Sequence, residues 1–185
     1  MNIKHVFLFF AVGALVVACK TPPIGHDGVS HKPVKTYEIE FVVKGDQKLN
    51  IVTPDKGCNK NENGCMRVPS ANSGEITFKF QMAQQLPCSD HPNSWILSKI
   101  ELANIEGGFG KPVNTWIVEN FGANALTGVV WEKTPGKEVT SHTIKDTNTK
   151  SGEVYYLITA ESCDPDKDPI NTDPRVINEG APSLL

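Results

Sequence analysis

The chain has 185 residues, 39% of them hydrophobic and 21% charged, with a formal net charge of −3. This length allows one domain with a real core and short flanking segments. The charge argues against a nucleic-acid binder, which would carry a basic patch or stripe. The acidity is concentrated at one end, because Glu161 to Leu185 holds six acids and two bases.

The first predicted element is a targeting segment over residues 1–18. Lys4 gives it a positive start, and Val6 to Ala18 runs for 13 residues without a charge. That suits a secretory signal and is too short for a spanning helix, which needs about 20 apolar residues. The run closes on Val16-Val17-Ala18-Cys19, which resembles the lipobox of bacterial lipoproteins. The resemblance implies that the Cys19 thiol takes a diacylglyceryl group, that the signal is cut before it and that the new amino terminus is acylated. More than one acyl chain makes such an anchor stable. Lys20 stands where an Asp often retains lipoproteins at the inner membrane. The expected location is therefore the cell envelope, in the outer membrane of a Gram-negative bacterium, with a lipid bilayer as first partner.

Residues 19–35 contain Pro22, Pro23 and Pro33 without apolar periodicity, which predicts a semi-extended tether. His26 and His31 flank Asp27 there and read as solvated side chains rather than metal ligands. Residues 36–163 are predicted to form the domain. Tyr37 to Lys44 alternates, with Tyr37, Ile39, Phe41 and Val43 on one face, as a half-buried strand requires. Gly45-Asp46 turns the chain, and Lys48 to Thr53 reads as a shorter partner. Glu75 to Met82 is the cleanest strand, with Ile76, Phe78, Phe80 and Met82 together. Further strands are expected at Trp95 to Ala103, Asn114 to Phe121, Leu126 to Glu132, Glu138 to Ile144 and Glu153 to Glu161. About eight short strands, turn signals between them and no amphipathic helix predict an all-β, antiparallel immunoglobulin-like sandwich.

With Cys19 lipidated, Cys58, Cys65, Cys88 and Cys163 remain. An even count in an oxidising compartment predicts two disulfides, for which three pairings exist. A Cys58–Cys65 bridge across a polar loop is the simplest, leaving Cys88–Cys163 to close a long one. Zinc is disfavoured, since six residues between Cys58 and Cys65 is not finger or ribbon spacing.

Several motifs fail their patterns. Gly107-Gly108-Phe109-Gly110-Lys111-Pro112 lacks the hydroxyl residue and helix of a phosphate loop. Lys150-Ser151-Gly152 has no accompanying Ser-x-x-Lys, and neither Cys88 nor Cys163 offers a blue-copper ligand set. Asp164, Asp166 and Asp168 are spaced by two, as at the start of many calcium loops. Pro169 and Arg175 stand where an EF-hand needs Gly and Glu. Calcium is therefore the alternative reading for an otherwise solvated acidic segment, residues 164–185.

Cys163-Asp164-Pro165 and Asp173-Pro174-Arg175-Val176-Ile177-Asn178-Glu179-Gly180 follow a last strand rich in Tyr. This pattern resembles the C-terminal signature of the small bacterial DP-EP family, departing from it at Glu179-Gly180, where Glu-Pro is expected. The resemblance implies a β-sandwich and carries no catalytic residue. The expected function is a non-enzymatic envelope lipoprotein without a cofactor that binds a protein partner or supports an assembly. The alternative is a calcium-dependent or small-molecule ligand binder. Candidate binding loops are Cys88 to Ser94, with Asp90 and His91, and Gly107 to Lys111. Exposed members of Trp95, Trp116 and Trp131 are candidate anchors.

Overall fold

The structure, a computed structural model, describes residues 35–45, 47–54, 56–58, 63–70 and 75–180. Cys19, the tether histidines and the signal segment lie outside the described residues. Among the described residues ten strands form two sheets. The smaller has the order β2-β1-β4-β7, built from β1 (Lys35–Val43), β2 (Leu49–Ile51), β4 (Ile76–Met82) and β7 (Ser141–Asp146). The larger has the order β3-β10-β8-β5-β6, with β9 also on β8. Its strands are β3 (Met66–Val68), β5 (Trp95–Ala103), β6 (Val129–Glu132), β8 (Ser151–Ser162), β9 (Ile170–Thr172) and β10 (Arg175–Glu179).

Alternation dictates what each sheet buries. Tyr37, Ile39 and Phe41 of β1 and Ile76, Phe78, Phe80 and Met82 of β4 face inward and are buried. They meet Leu97, Ile100 and Leu102 of β5 and Val154, Tyr156, Ile158 and Ala160 of β8 in one cluster. Stacked pairs Tyr37–Phe78 and Phe41–Phe80 tie β1 to β4, and the Phe80 ring meets Tyr156 edge-on at 5.2 Å across the sheets. Each such ring is worth about 1.5–3 kcal/mol in removed apolar surface. The all-β sandwich expected from the pattern is therefore present.

The sheets are mixed, not purely antiparallel. β1 pairs with β4 in parallel, Lys35 opposite Ile76 through Phe41 opposite Met82. β3 pairs with β10 in parallel, Met66 opposite Val176. Alternation reports which face is buried and is silent on strand direction, so the sequence offered no sign of either pair.

One predicted strand is a helix. Thr115–Phe121 forms α1, entered at Asn114, whose carbonyl accepts from the Ile117 and Val118 amides. Gly122, at φ 89°, closes it by donating to the Val118 carbonyl. The β-branched run Thr115, Ile117, Val118 favours a strand by propensity. Burial of Ile117 and Asn120 at helical spacing overrides it. Trp116 lies over Gly152 of β8, where a Cβ would fall 2.6 Å from the indole ring. Gly152 is thus the residue that lets the helix settle on the sheet. A 3-10 turn, Ala123–Thr127, replaces the first part of the strand expected at Leu126.

Residues 164–180, read as a solvated acidic segment, carry β9 and β10 and belong to the larger sheet. Val176 pairs with Val154, and Ile170 with Ala160.

The sandwich has two distinct ends. At one, the chain enters β1 at Lys35, and the turn from Asp146 to Ser151 crosses between the sheets. Here the Asn120 side-chain Oδ1 accepts from the Thr149 and Lys150 amides, and its Nδ2 donates to the Lys150 carbonyl. Asn148, at φ 46°, donates to the Pro69 carbonyl and accepts from the Gly180 amide. At the opposite end, Cys88 and Cys163, with Cα atoms 5.2 Å apart, join the segment after β4 to the end of β8. Cys58 and Cys65 are bonded across their short loop, Cα atoms 6.1 Å apart.

Asp146 is fully buried at the Lys35 end. Its Oδ1 accepts from the Asn148 amide at 2.7 Å, while Oδ2 has no hydrogen-bond partner among the described residues. Burial pushes its carboxyl up to about 6 from the usual 3.8, against the lowering effect of the Asn148 amide and of Asn178. Asn178 Nδ2 and Oδ1 are themselves buried without a hydrogen-bond partner among the described residues.

The Cys88–Cys163 bridge closes a separation of 75 residues and the Cys58–Cys65 bridge one of 7. Chain entropy assigns about 4–5 kcal/mol to the first and about 2–3 kcal/mol to the second. Urea unfolding of the paired serine variants should show the Cys88→Ser/Cys163→Ser protein as the less stable. Asp146, with its folded value raised, holds its proton when the unfolded chain has released it. Stability is therefore undiminished below about pH 4, falls between about pH 4 and 6, and is lower by about 2–3 kcal/mol above that. Asp146→Asn keeps the acceptor for Asn148. It should unfold at higher urea than the parent at about pH 7 and match it near pH 4.

Candidate functional site

A cleft of about 570 Å3 opens at the end of the sandwich opposite Lys35. Its floor is the end of the core, with Phe41, Met82 and Trp95 all buried. One wall is the turn after β1, carrying Lys44 and Gln47; Gln84 and Leu86 follow β4 on another. The third wall is the loop that leads into β5, with Asp90, His91 and Asn93.

That loop is built locally. The His91 amide donates to the Pro87 carbonyl at 3.0 Å and the Ser94 amide to the His91 carbonyl at 2.9 Å, winding residues 87–94 into consecutive turns. The Cys88 amide donates to the Glu138 carboxylate at 2.9 Å, and the Cys163 amide to the Ser94 carbonyl at 2.8 Å. With the disulfide, these bonds fix the loop at both ends. Its polar side chains stay outside, and Asp90 and His91 are exposed. An apolar floor with a small set of polar groups at the rim is the usual form of a ligand or partner pocket.

The acidic segment supports this wall. Asp164 Oδ1 accepts from the Asp166 amide at 3.2 Å, and the Asp164 amide donates to the Ser162 hydroxyl at 3.1 Å. Lys167 reaches Asp164 Oδ2 at 3.5 Å and donates to Asn93 at 3.3 Å, placing its ammonium on the cleft. Asp164 is thus spent on a local turn and an ion pair, while Asp166 and Asp168 are exposed. Among the described residues no three His, Cys, Asp or Glu side chains converge to hold a metal ion.

The other candidate features lie elsewhere. The loop 107–111 follows β5 at the Lys35 end, held by Asn104, which accepts from the Asn114 amide at 2.6 Å and donates to the Pro112 carbonyl at 3.3 Å. None of the tryptophans is exposed. Trp95 is in the cleft floor, Trp116 is half-buried over Gly152, and Trp131 stacks on His142 with ring centroids 4.2 Å apart. That stack joins β6 to β7, and burial lowers the His142 imidazole below its usual value. The sequence reading found Asp90 and His91 but not Lys44, Gln84 or Lys167. A signal for Lys167 existed, since a Cys88–Cys163 bridge necessarily brings residues 164–167 against the loop after Cys88.

Among the described residues no helix is long and apolar enough to cross a membrane. No protein-family model matches the chain, and no curated protein matches it.

The Asp164–Lys167 turn gives a direct test of the metal alternative. A ligand specific for the native state must raise its stability. Neither added calcium nor a chelator should move the melting temperature, and a calcium-dependent rise would restore that alternative.

Proposed function

We propose that the chain is a lipid-anchored envelope lipoprotein whose sandwich acts as a non-enzymatic binding module, with the cleft beside Asp90 and His91 as its protein-partner site. The anchor reading rests on Val16-Val17-Ala18-Cys19 after its uncharged run. The observation that carries the binding reading is the position of the cleft. It lies at the far end of β1 from Lys35, the residue through which the chain enters the domain. A nine-residue strand spans about 30 Å. A module tethered through its N-terminal segment can therefore offer this cleft away from the bilayer. The outer-membrane location and the finer description of the sandwich as immunoglobulin-like belong to the same proposal. Two facing sheets with connections gathered at their ends support that description, and the parallel β1–β4 pair departs from it.

The test is photo-cross-linking in intact envelopes, with the cross-linking residue placed at Gln84 or Asp90 in the cleft, or at Thr143 on the exposed face of β7. The expected result is one common partner from Gln84 and Asp90, absent from Thr143 and lost with Cys19→Ser. Identical products from all three positions, or none from the cleft, would overturn the reading.

A further inference from the structure

The Lys35 end of the domain carries a second concavity, of about 290 Å3, with Lys35 and Tyr37 on one wall and Lys56, Gly57 and Arg67 on the other. It exists because β2 pairs with β1 only from Phe41 to Val43, leaving the first half of that edge of β1 uncovered. The Glu40 amide on this edge donates to the Thr53 hydroxyl at 2.8 Å. By strand alternation the Thr36 amide points the same way, into the pocket, which Thr36 also lines.

The charge in the pocket is held in place. Lys35 Nζ sits 4.9 Å over the Tyr37 ring. The Tyr37 hydroxyl donates to the Arg67 carbonyl at 3.2 Å, and Arg67 Nε donates to the Gly57 carbonyl at 2.7 Å. Arg67 also pairs with Glu179 at 3.0 Å, which lowers the Glu179 carboxyl and neutralises one of the three cations. Among the described residues neither Lys35 nor Lys56 pairs with a carboxylate, and no acidic side chain lines the pocket. Two ammonium groups and a backbone N–H around a concave surface are complementary to a phosphate.

We propose that this pocket binds the anionic phosphate headgroup of a bilayer and seats the Lys35 end of the domain on the membrane. This step rests on the lipoprotein reading for its location, since a residue 19–35 tether reaching at most roughly 50 Å keeps the pocket within range of the surface. Its chemistry stands on the pocket alone. Membrane phosphate is favoured over free phosphate because the site lies beside the residue that continues the tether. Cations held near an anionic surface are attracted to it, which favours this orientation.

The experiment uses the chain from residue 19 onward with Cys19→Ser, which holds every residue of the fold described above and has no acyl anchor. It is floated with phosphatidylglycerol-containing vesicles and with neutral phosphatidylcholine vesicles. The anionic vesicles should retain the protein and the neutral ones should not. Lys35→Gln/Lys56→Gln should weaken retention about tenfold or more, while Lys79→Gln/Lys137→Gln, with the same net charge and outside both the pocket and the cleft, should change it less than about twofold. Equal loss in the two double variants, or equal binding to neutral vesicles, would overturn the site. Binding of inorganic phosphate without any retention on the anionic vesicles would reassign it to the free ion. Palmitate labelling of the native chain tests the anchor separately. Labelling without a pocket effect sinks the pocket alone, and a pocket effect without labelling sinks the anchor alone.

Discussion

The structure depends on the placement of one side chain, Tyr156. Its ring is buried in the middle of β8 and meets Phe80 of the opposite sheet edge-on. Its hydroxyl donates to the Gly64 carbonyl at 2.7 Å, inside the Cys58–Cys65 loop, and its amide donates to the Pro174 carbonyl at 3.0 Å, between β9 and β10. Burial holds the phenol well above its usual value, which favours the protonated, donating form. One residue therefore fixes the spacing of the sheets, the position of the disulfide loop and the junction of the last two strands. A buried carbonyl left without such a donor costs about 1–3 kcal/mol. Gly64 fits its side of the arrangement, since its φ is 81° and a Cβ there would fall 2.8 Å from Ile51.

What the sequence revealed follows from which physical signals are local. β1, β4, β5 and β8 were legible because an inward side chain at every second position is a property of the strand itself. β3, β9 and β10 were not: three-residue strands such as Met66–Val68 and Ile170–Thr172 carry too few alternations to register. β10 was hidden by the acids and prolines before it, which suggested solvation. The helix at Thr115–Phe121 was misread because its β-branched residues favour one state locally, while the packing of Trp116 on Gly152 imposes another. The parallel pairs lay beyond reach for a different reason, since direction is settled by the connections and not by the strand.

The same division holds for the cleft end. Asp90 and His91 were legible as a turn-rich polar loop, because loops carry their composition openly. The remaining walls come from segments far apart in sequence, the turn after β1 and the turn after Cys163. They converge because the disulfide and the Lys167–Asn93 bond bring them together. The Asp164 carboxylate belongs to the same convergence, accepting from the Asp166 amide and pairing with Lys167.

Net charge hides the feature that separates the two ends. Asp164, Asp166 and Asp168 follow β8 at the cleft end, whereas Lys35, Lys56 and Arg67 gather where the chain enters β1. A field is set by where charges sit, and screening limits each group to about 8–10 Å in physiological salt. Strands of about 30 Å therefore let the two ends act independently. Under the proposed seating, Asp166 and Asp168 face away from the surface and Lys35 and Lys56 toward it, and the two groups need no cooperation to favour one orientation. The uncovered half of β1 then has a reason of its own. A longer β2 would complete the sheet edge but would cover the Thr36 amide and fill the space between Lys35 and Lys56. On this view the short β2 trades edge protection for a recess, and its flanking lysines also discourage another strand from pairing there.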